Sequence, residues 1–202
     1  MKMVCLDLEG VLIPEIWIAV AEKTGVSGLL RTTRDEPDYN KLMHYRLGLL
    51  EKHAIDLPFI QEVIGSLEPL TGAHDFVKWV KSETRLIILS DTFSEFASPL
   101  MRKLDFPTLF CHSLIVDKNQ KISGYKLRQT NHKQKAVEAF QSLNFTVTAA
   151  GDSYNDLTML EKAERGILFR PPATLIESYP QFPVTQSHDA LKKAIIDSWE
   201  DQ

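Results

Sequence analysis

The sequence predicts an α/β protein built on a doubly wound, mainly parallel sheet, with a set of helices inserted after the first strand. Three observations carry that reading. Short apolar runs that end abruptly in polar residues recur at residues 3–6, 85–91 and 145–152, with a weaker one at 165–172. Helical patterns separate the later runs, and alternation of strand and helix marks an open α/β sheet. Residues 15–69, by contrast, hold no strand-like run and read as helices.

In chain order, Met3-Val-Cys-Leu6 gives way at once to Asp7 and Glu9, as a strand buried on both faces does where it leaves the sheet. Helices are expected over 15–24, stopped by Gly25, over 38–53, and over 56–67, where Asp56 with Pro58 just inside suits a helix start. This stretch is too long for a crossover. A helical lid over the carboxyl ends of the strands is expected instead, with residues 15–69 as the insert and residues 1–14 and 70–202 as the core. Thr71 is the expected N-cap of a helix whose apolar stripe includes Phe76, Val77 and Val80. Phe93, Phe96, Leu100, Met101 and Leu104 repeat at helical spacing, and so do Ala136, Val137 and Phe140. Residues 113–127 read as a β-hairpin turning at Lys118-Asn119-Gln120.

Composition narrows the class. The chain has 202 residues, 44% of them hydrophobic and 25% charged, close to the soluble globular average. Folding at this length buries roughly 70% of the unfolded surface, enough for a core without crosslinks. A count of 23 Lys+Arg against 27 Asp+Glu leaves a net charge of -4, which gives no drive toward phosphate backbones, so nucleic acid is not an expected partner. Cys5 and Cys111 are too few for a disulfide framework and suit a reducing compartment. No apolar run reaches the ~18 residues of a membrane span. After Lys2 only Met3-Val-Cys-Leu6 precedes acid, too short for a secretory signal. A cytoplasmic protein without membrane partners is expected.

Ligands of open parallel sheets bind in the crevice beyond the carboxyl ends of the strands. The residues expected there are Asp7 and Glu9, Ser90 and Asp91, and Asp152 with Asn155 and Asp156. Carboxylates gathered at one edge repel unless a cation sits among them, and hard oxygen donors suit Mg²⁺. A phosphate beside that cation would take the Ser90 hydroxyl and an ammonium. Lys133 is favoured over Lys135 for that ammonium, because Ala136 and Val137 lie three and four places beyond it.

Asp7-Leu-Glu-Gly-Val11, the run ending in Ser90, then Lys133, and Gly151-Asp-Ser-Tyr-Asn-Asp156 resemble the four motifs of the haloacid dehalogenase superfamily, in order and spacing. The helical insert resembles that superfamily's type 1 cap. Glu15 and the segment Tyr39-Asn-Lys-Leu-Met-His-Tyr-Arg46 resemble the phosphoserine phosphatase branch. Residues 7–12, 14–19, 89–93 and 150–156 are similar to those members of the branch that pass phosphate to homoserine as well as to water.

The resemblance implies a Mg²⁺-dependent phosphatase and phosphotransferase. It would take phosphate from L-phosphoserine through an aspartyl-phosphate on Asp7 and hand it to L-homoserine or water. Glu9 would be the acid and base. Asp7, Asp152 and the main-chain carbonyl of Glu9 would hold the metal. Ser90 and Lys133 would bind phosphoryl oxygens, with Asp156 in support. Arg46 would grip the substrate carboxylate, Glu15 its ammonium, and Asn155 would lie near the phosphate. Expected partners are these small molecules, with a homodimer left open. Two departures stand out: Glu9 replaces the usual Asp, and Ser90-Asp91-Thr92 replaces Ser-Gly-Gly. Asp91 could then contact an amino group. The phosphate-transferring members carry both changes.

Other readings compete. One is a phosphatase for phosphoserine or another small phosphomonoester, without transfer. Another, of a different class, is a phospho-acceptor receiver module, which also uses Asp, Ser or Thr, and Lys at strand ends. Arg46 and Glu15 could be a solvated helix face, and Asp91 and Asn155 could cap turns. Arg128 and Asn131 are further candidates for the crevice. The six histidines show no metal-ligand spacing and read as surface or core. Trp17, Val20 and Ala21 read as core of the insert, and both cysteines as buried and inert.

Overall fold

The computed structural model describes residues 1–33, 35, 36 and 38–200, so the last two residues of the expected core segment lie outside it. At its centre is β1 (Lys2–Leu6), whose residues 3–6 are all buried. On one side β1 pairs in parallel with β2 (Arg85–Phe93), and on the other with β5 (Thr146–Gly151); Val4 stands opposite Leu86 and Thr148. A strand covered on both faces has no reason to alternate polar and apolar residues, which accounts for the continuous run.

β3 (Thr108–Val116) and β4 (Ile122–Lys126) extend the sheet beyond β2, and β6 (Arg165–Phe169) and β7 (Val184–Thr185) extend it beyond β5. Among the described residues the order is β4-β3-β2-β1-β5-β6-β7, parallel except where β4 joins β3. The expected hairpin is present, but its first arm is longer. Leu109 and Phe110 pair in parallel with β2 before Ser113–Val116 turn to pair with β4. β7 is two residues long, too short to show a period.

In the insert, α1 (Ile16–Thr24) ends as expected at Gly25, which takes the left-handed conformation at φ 70°. For α2 (Tyr39–Lys52) the Asp38 carboxylate accepts the N–H groups of Asn40 and Lys41, and for α3 (Leu57–Ser66) Asp56 accepts that of Phe59. α4 (Ala73–Glu83) departs from expectation. Its N-cap is Gly72 at φ 86°, not Thr71, and a Cβ at Gly72 would press to 3.3 Å from His188 Nδ1. Buried His188 explains the close approach. Its ring nitrogens lie 3.0 Å from the Thr71 carbonyl and 2.8 Å from that of Val11, touching both connections between sheet and insert. Leu70 N–H to the Leu12 carbonyl joins the same two connections.

α5 (Ser94–Lys103) follows β2 directly, and α6 (His132–Ser142) precedes β5. Short α7 (Leu157–Lys162) and α8 (Ala173–Ser178) lead to α9 (His188–Glu200), where Trp199 stacks on Trp79 of α4. No described helix is long and apolar enough to cross a membrane. One apolar cluster runs from Val4 and Leu6 through Ile16 and Val20 to Ile60 and Ile64, so insert and sheet share a core. Phe96 sits at that junction, fully buried, with ring edges against Trp17 at 5.6 Å and Phe93 at 5.5 Å. Phe96→Ala is expected to cost about 3–5 kcal/mol of stability, read as a lowered urea midpoint with little change in slope.

Candidate active site

The pocket lies where β1, β2 and β5 end. Asp7 is the first residue past β1, and its N–H bonds the Ala150 carbonyl at 3.0 Å. The chain then turns through Gly10, at φ 77°, where a Cβ would stand 2.6 Å from the Asp152 carboxylate. Only glycine meets both demands at once. Gly151 at the end of β5 is bare for a related reason: a Cβ there would collide with Asp156.

Lys133, in the first turn of α6, is buried. Its Nζ donates to Asp7 Oδ1 at 2.8 Å and to Asp156 Oδ1 at 2.7 Å, with Asp91 Oδ2 at 3.6 Å. Asp156 has no exposure, and its second oxygen accepts the N–H groups of Asp152 and Ser153 at 2.9 and 3.1 Å. Oxygens of Asp7, Asp152 and Asp156 all lie within 4.8 Å of one another. Burial pushes the Asp7 carboxyl well above the usual range; Asp156 and Asp152 push the same way, and Lys133 pulls it back only in part. For Lys133, burial works against the charge, but Asp156, Asp7 and Asp91 outweigh it and hold the ammonium well above its ordinary range.

Glu9 lines the pocket beside Asp7, and its Oε2 accepts the N–H of Ile16 at the start of α1, at 2.8 Å. Burial, then the charge of Glu15, pushes Glu9 up to about 8, against the Ile16 hydrogen bond and Arg46. Ser90 is buried, and its Oγ accepts the Thr92 N–H at 3.2 Å. From the insert, Arg46 donates Nη2–H to the Arg31 carbonyl at 2.8 Å and lies 4.7 Å over the Trp17 ring. Its buried Nε has no hydrogen-bond partner among the described residues, and burial lowers the group to about 10 against the pull of Glu9. A cation held over a ring with one donor unspent is suited to an anionic ligand.

All the expected site residues except Lys133 and Asp156 line this one pocket, and those two lie buried beneath it. Lys135 is exposed. Arg128 stays away from the pocket, its guanidinium 3.8 Å over Phe110, and Asn131 is exposed at the N-cap of α6.

Some participants escaped the sequence reading. Trp17 is pocket wall as well as core. Tyr39, one helical face with Arg46 at a spacing of seven, donates its hydroxyl to the Asp91 carbonyl at 2.9 Å. Buried His112 and His132 both face Asp91, although nothing in their spacing along the chain announces it. Cys5 is buried and Cys111 is half-buried rather than fully so. Burial raises both thiols, Cys111 to about 11.

The doubly wound sheet thus delivers acids, a hydroxyl and an ammonium to one rim. Residues 15–161 match the haloacid dehalogenase-like hydrolases, and the chain belongs to that family. It is 54% identical over 196 residues to the phosphoserine phosphatase ThrH of Pseudomonas aeruginosa, spanning 97% of this chain and 96% of that one. It is also 54% identical over 195 residues to a phosphoserine phosphatase of Pseudomonas syringae pv. tomato, spanning 96% and 82%. A solved substrate-bound phosphoserine phosphatase complex superposes with a TM-score of 0.79 at 20% identity, covering 96% of each chain.

Two outcomes follow from the packing. Lys133→Met strands buried carboxylates and should cost about 3–5 kcal/mol in chemical denaturation. Gly10→Ala sets a methyl group against the Asp152 carboxylate in a left-handed turn and should cost about 1–3 kcal/mol, read as a lowered urea midpoint.

Proposed function

We propose that this chain is a Mg²⁺-dependent phosphatase of L-phosphoserine that works through an aspartyl-phosphate on Asp7 and can pass the phosphoryl group to L-homoserine as well as to water. The observation that carries the reading is the Lys133 ammonium shared by Asp7 and Asp156 at the strand ends, with Ser90 lining the pocket above. The two relatives named phosphoserine phosphatase support the substrate. That one of them also bears the name ThrH favours a link to homoserine chemistry.

The donor set suits a divalent cation. Three buried carboxylates stand within reach of one point, and burial together with mutual repulsion leaves Asp7 wanting more positive charge than Lys133 supplies. As the resemblance implies, Asp7 and Asp152 would be the carboxylate ligands together with the main-chain carbonyl of Glu9, and Asp156, which accepts from Lys133 and from the Asp152 N–H, would stay in support. When bound, Mg²⁺ would neutralise phosphoryl oxygens and hold them for in-line displacement.

An Asp7 carboxylate oxygen attacks phosphorus while the ester P–O bond breaks, and Glu9 gives its proton to the departing serine alkoxide. Ser90 and Lys133 hold the phosphoryl oxygens through the step. In the second half Glu9 takes the proton of the incoming hydroxyl, and attack at phosphorus releases Asp7. Arg46 and Glu15, on the insert acting as a cap, take the substrate carboxylate and ammonium, and Asn155 lies near the phosphate. The two free cysteines suit a cytoplasmic setting.

The assay supplies L-phosphoserine and Mg²⁺ with and without L-homoserine. Serine release with phosphohomoserine appearing in step with homoserine is expected; inorganic phosphate alone at every homoserine level would reduce the activity to hydrolysis. Asp7→Asn should lower kcat at least 10⁴-fold, on the order expected for losing a covalent nucleophile.

A further inference from the structure

The carboxylate of Asp91 accepts hydrogen bonds from His132 Nε2 and Asn155 Nδ2 and has His112 and Lys133 as its next neighbours, so most of its surroundings are donors from the fold itself. A carboxylate offers about four acceptor positions. At Oδ1 stand His132 Nε2 at 3.0 Å and His112 Nε2 at 3.4 Å; at Oδ2, Asn155 Nδ2 at 2.8 Å and the Lys133 ammonium at 3.6 Å. The protons on the two imidazoles are set by their surroundings. His112 Nδ1 accepts the main-chain N–H of Arg128 at 3.1 Å, so its own proton stands on Nε2, facing Asp91. Burial lowers His132 from its ordinary range against the pull of Asp91, and with Nε2 against a carboxylate oxygen the ring places a proton there too. The same tautomer argues against a metal among Asp91, His112 and His132. The Nε2 of His112 carries hydrogen rather than a lone pair, and Lys133 supplies positive charge beside it.

We infer that Asp91 is a positioning residue rather than a contact for the substrate ammonium, and that with His112 and His132 it fixes Lys133 and Asn155 beside the phosphoryl group. The unit draws on four parts of the fold. Asp91 lies on β2, His112 comes from β3, His132 and Lys133 from α6, and Asn155 from the turn after β5. The main-chain carbonyl of Asp91 adds the insert by accepting the Tyr39 hydroxyl of α2, the helix that carries Arg46. Once Asp7 is esterified, Asp156 at 2.7 Å and Asp91 at 3.6 Å remain as fixed anions that keep the ammonium in place from two sides. This inference rests on the proposed role of Asp7 and Lys133 in phosphoryl transfer.

The test compares L-phosphoserine with 3-(phosphonooxy)propanoate, which lacks the ammonium, for Asp91→Asn, His132→Leu, His132→Gln and the Asp91→Asn/His132→Leu double variant. Asp91→Asn and His132→Leu should each lower kcat by about tenfold to a hundredfold on both substrates, the range for losing a charge-assisted hydrogen bond. KM for phosphoserine should stay within about threefold. The double variant should be no worse than the poorer single one, since both break one unit. His132→Gln, whose amide can reach the carboxylate, should recover most of the loss. A raised phosphoserine KM in Asp91→Asn, with kcat kept and the propanoate ester unaffected, would overturn the inference, as would additive losses. If Asp91→Asn fails to fold, the His132 pair decides by the same criteria. Nitrogen-15 spectra give a readout independent of turnover. Protected Nε2–H signals of His112 and His132 are expected in the native enzyme and lost in Asp91→Asn. Their absence from the native enzyme would refute the inference even if phosphoserine turns over, whereas an enzyme inert toward phosphoserine that shows them would refute the proposed function alone.

Discussion

Taking a carboxylate out of water without a partner is costly, and this pocket buries Asp7, Asp152 and Asp156 within a few ångströms of each other. The ammonium of Lys133 is what makes that arrangement tolerable, and most of the surrounding geometry can be traced to it. Asp156 serves as the rigid side of the clamp: one oxygen takes Lys133 and the other ties down the main chain at Asp152 and Ser153. Asp7 is then held from the opposite side. Gly10 and Gly151 are required because the carboxylates stand so close to the backbone that a methyl group would not fit. The compensation is incomplete, which is why burial still dominates at Asp7 and why a second cation suits the site.

The sheet order brings these groups together. β1 lies between β2 and β5, so the residues leaving those three strands share one rim although Asp7 and Lys133 are separated by 126 positions in the chain. The insert closes the other side with a cation over an aromatic ring, Arg46 on Trp17, facing the acidic rim. Both connections to the insert are held where they leave the sheet, by His188 and by the Leu70–Leu12 hydrogen bond. Tyr39 and Phe96 add polar and apolar contacts between the two layers.

Strands β1, β2, β5 and β6 and the three helices of the insert were legible because each leaves a local mark: an apolar run, a cap such as Asp38 or Asp56, a terminating Gly25. Gly72 displaced Thr71 as N-cap because a side chain far along the chain, His188, needed the space. β2 ran on past Ser90 to Phe93 because its pairing with β3 shifts register there, and pairing is not a property of either strand alone. The acids and Lys133 were legible as a pattern of strand ends and helix starts. His112 was not, since nothing near it in sequence distinguishes it from any other buried histidine.

The order of elements from β1 to β6, the candidate nucleophile, the choice of Lys133 over Lys135 and the acidic character of the pocket were legible in the sequence, because periodicity, capping and strand-end chemistry act over a few residues. Which donors meet which acceptors was decided only by the folded chain. Asp91 is the clearest case: its residue type suggests a polar contact but not with what, and the fold sets two imidazoles, an amide and an ammonium from β3, α6 and the β5 turn around its carboxylate. Hydrogen-bonding capacity is finite, and how it is spent depends on neighbours that only tertiary packing supplies.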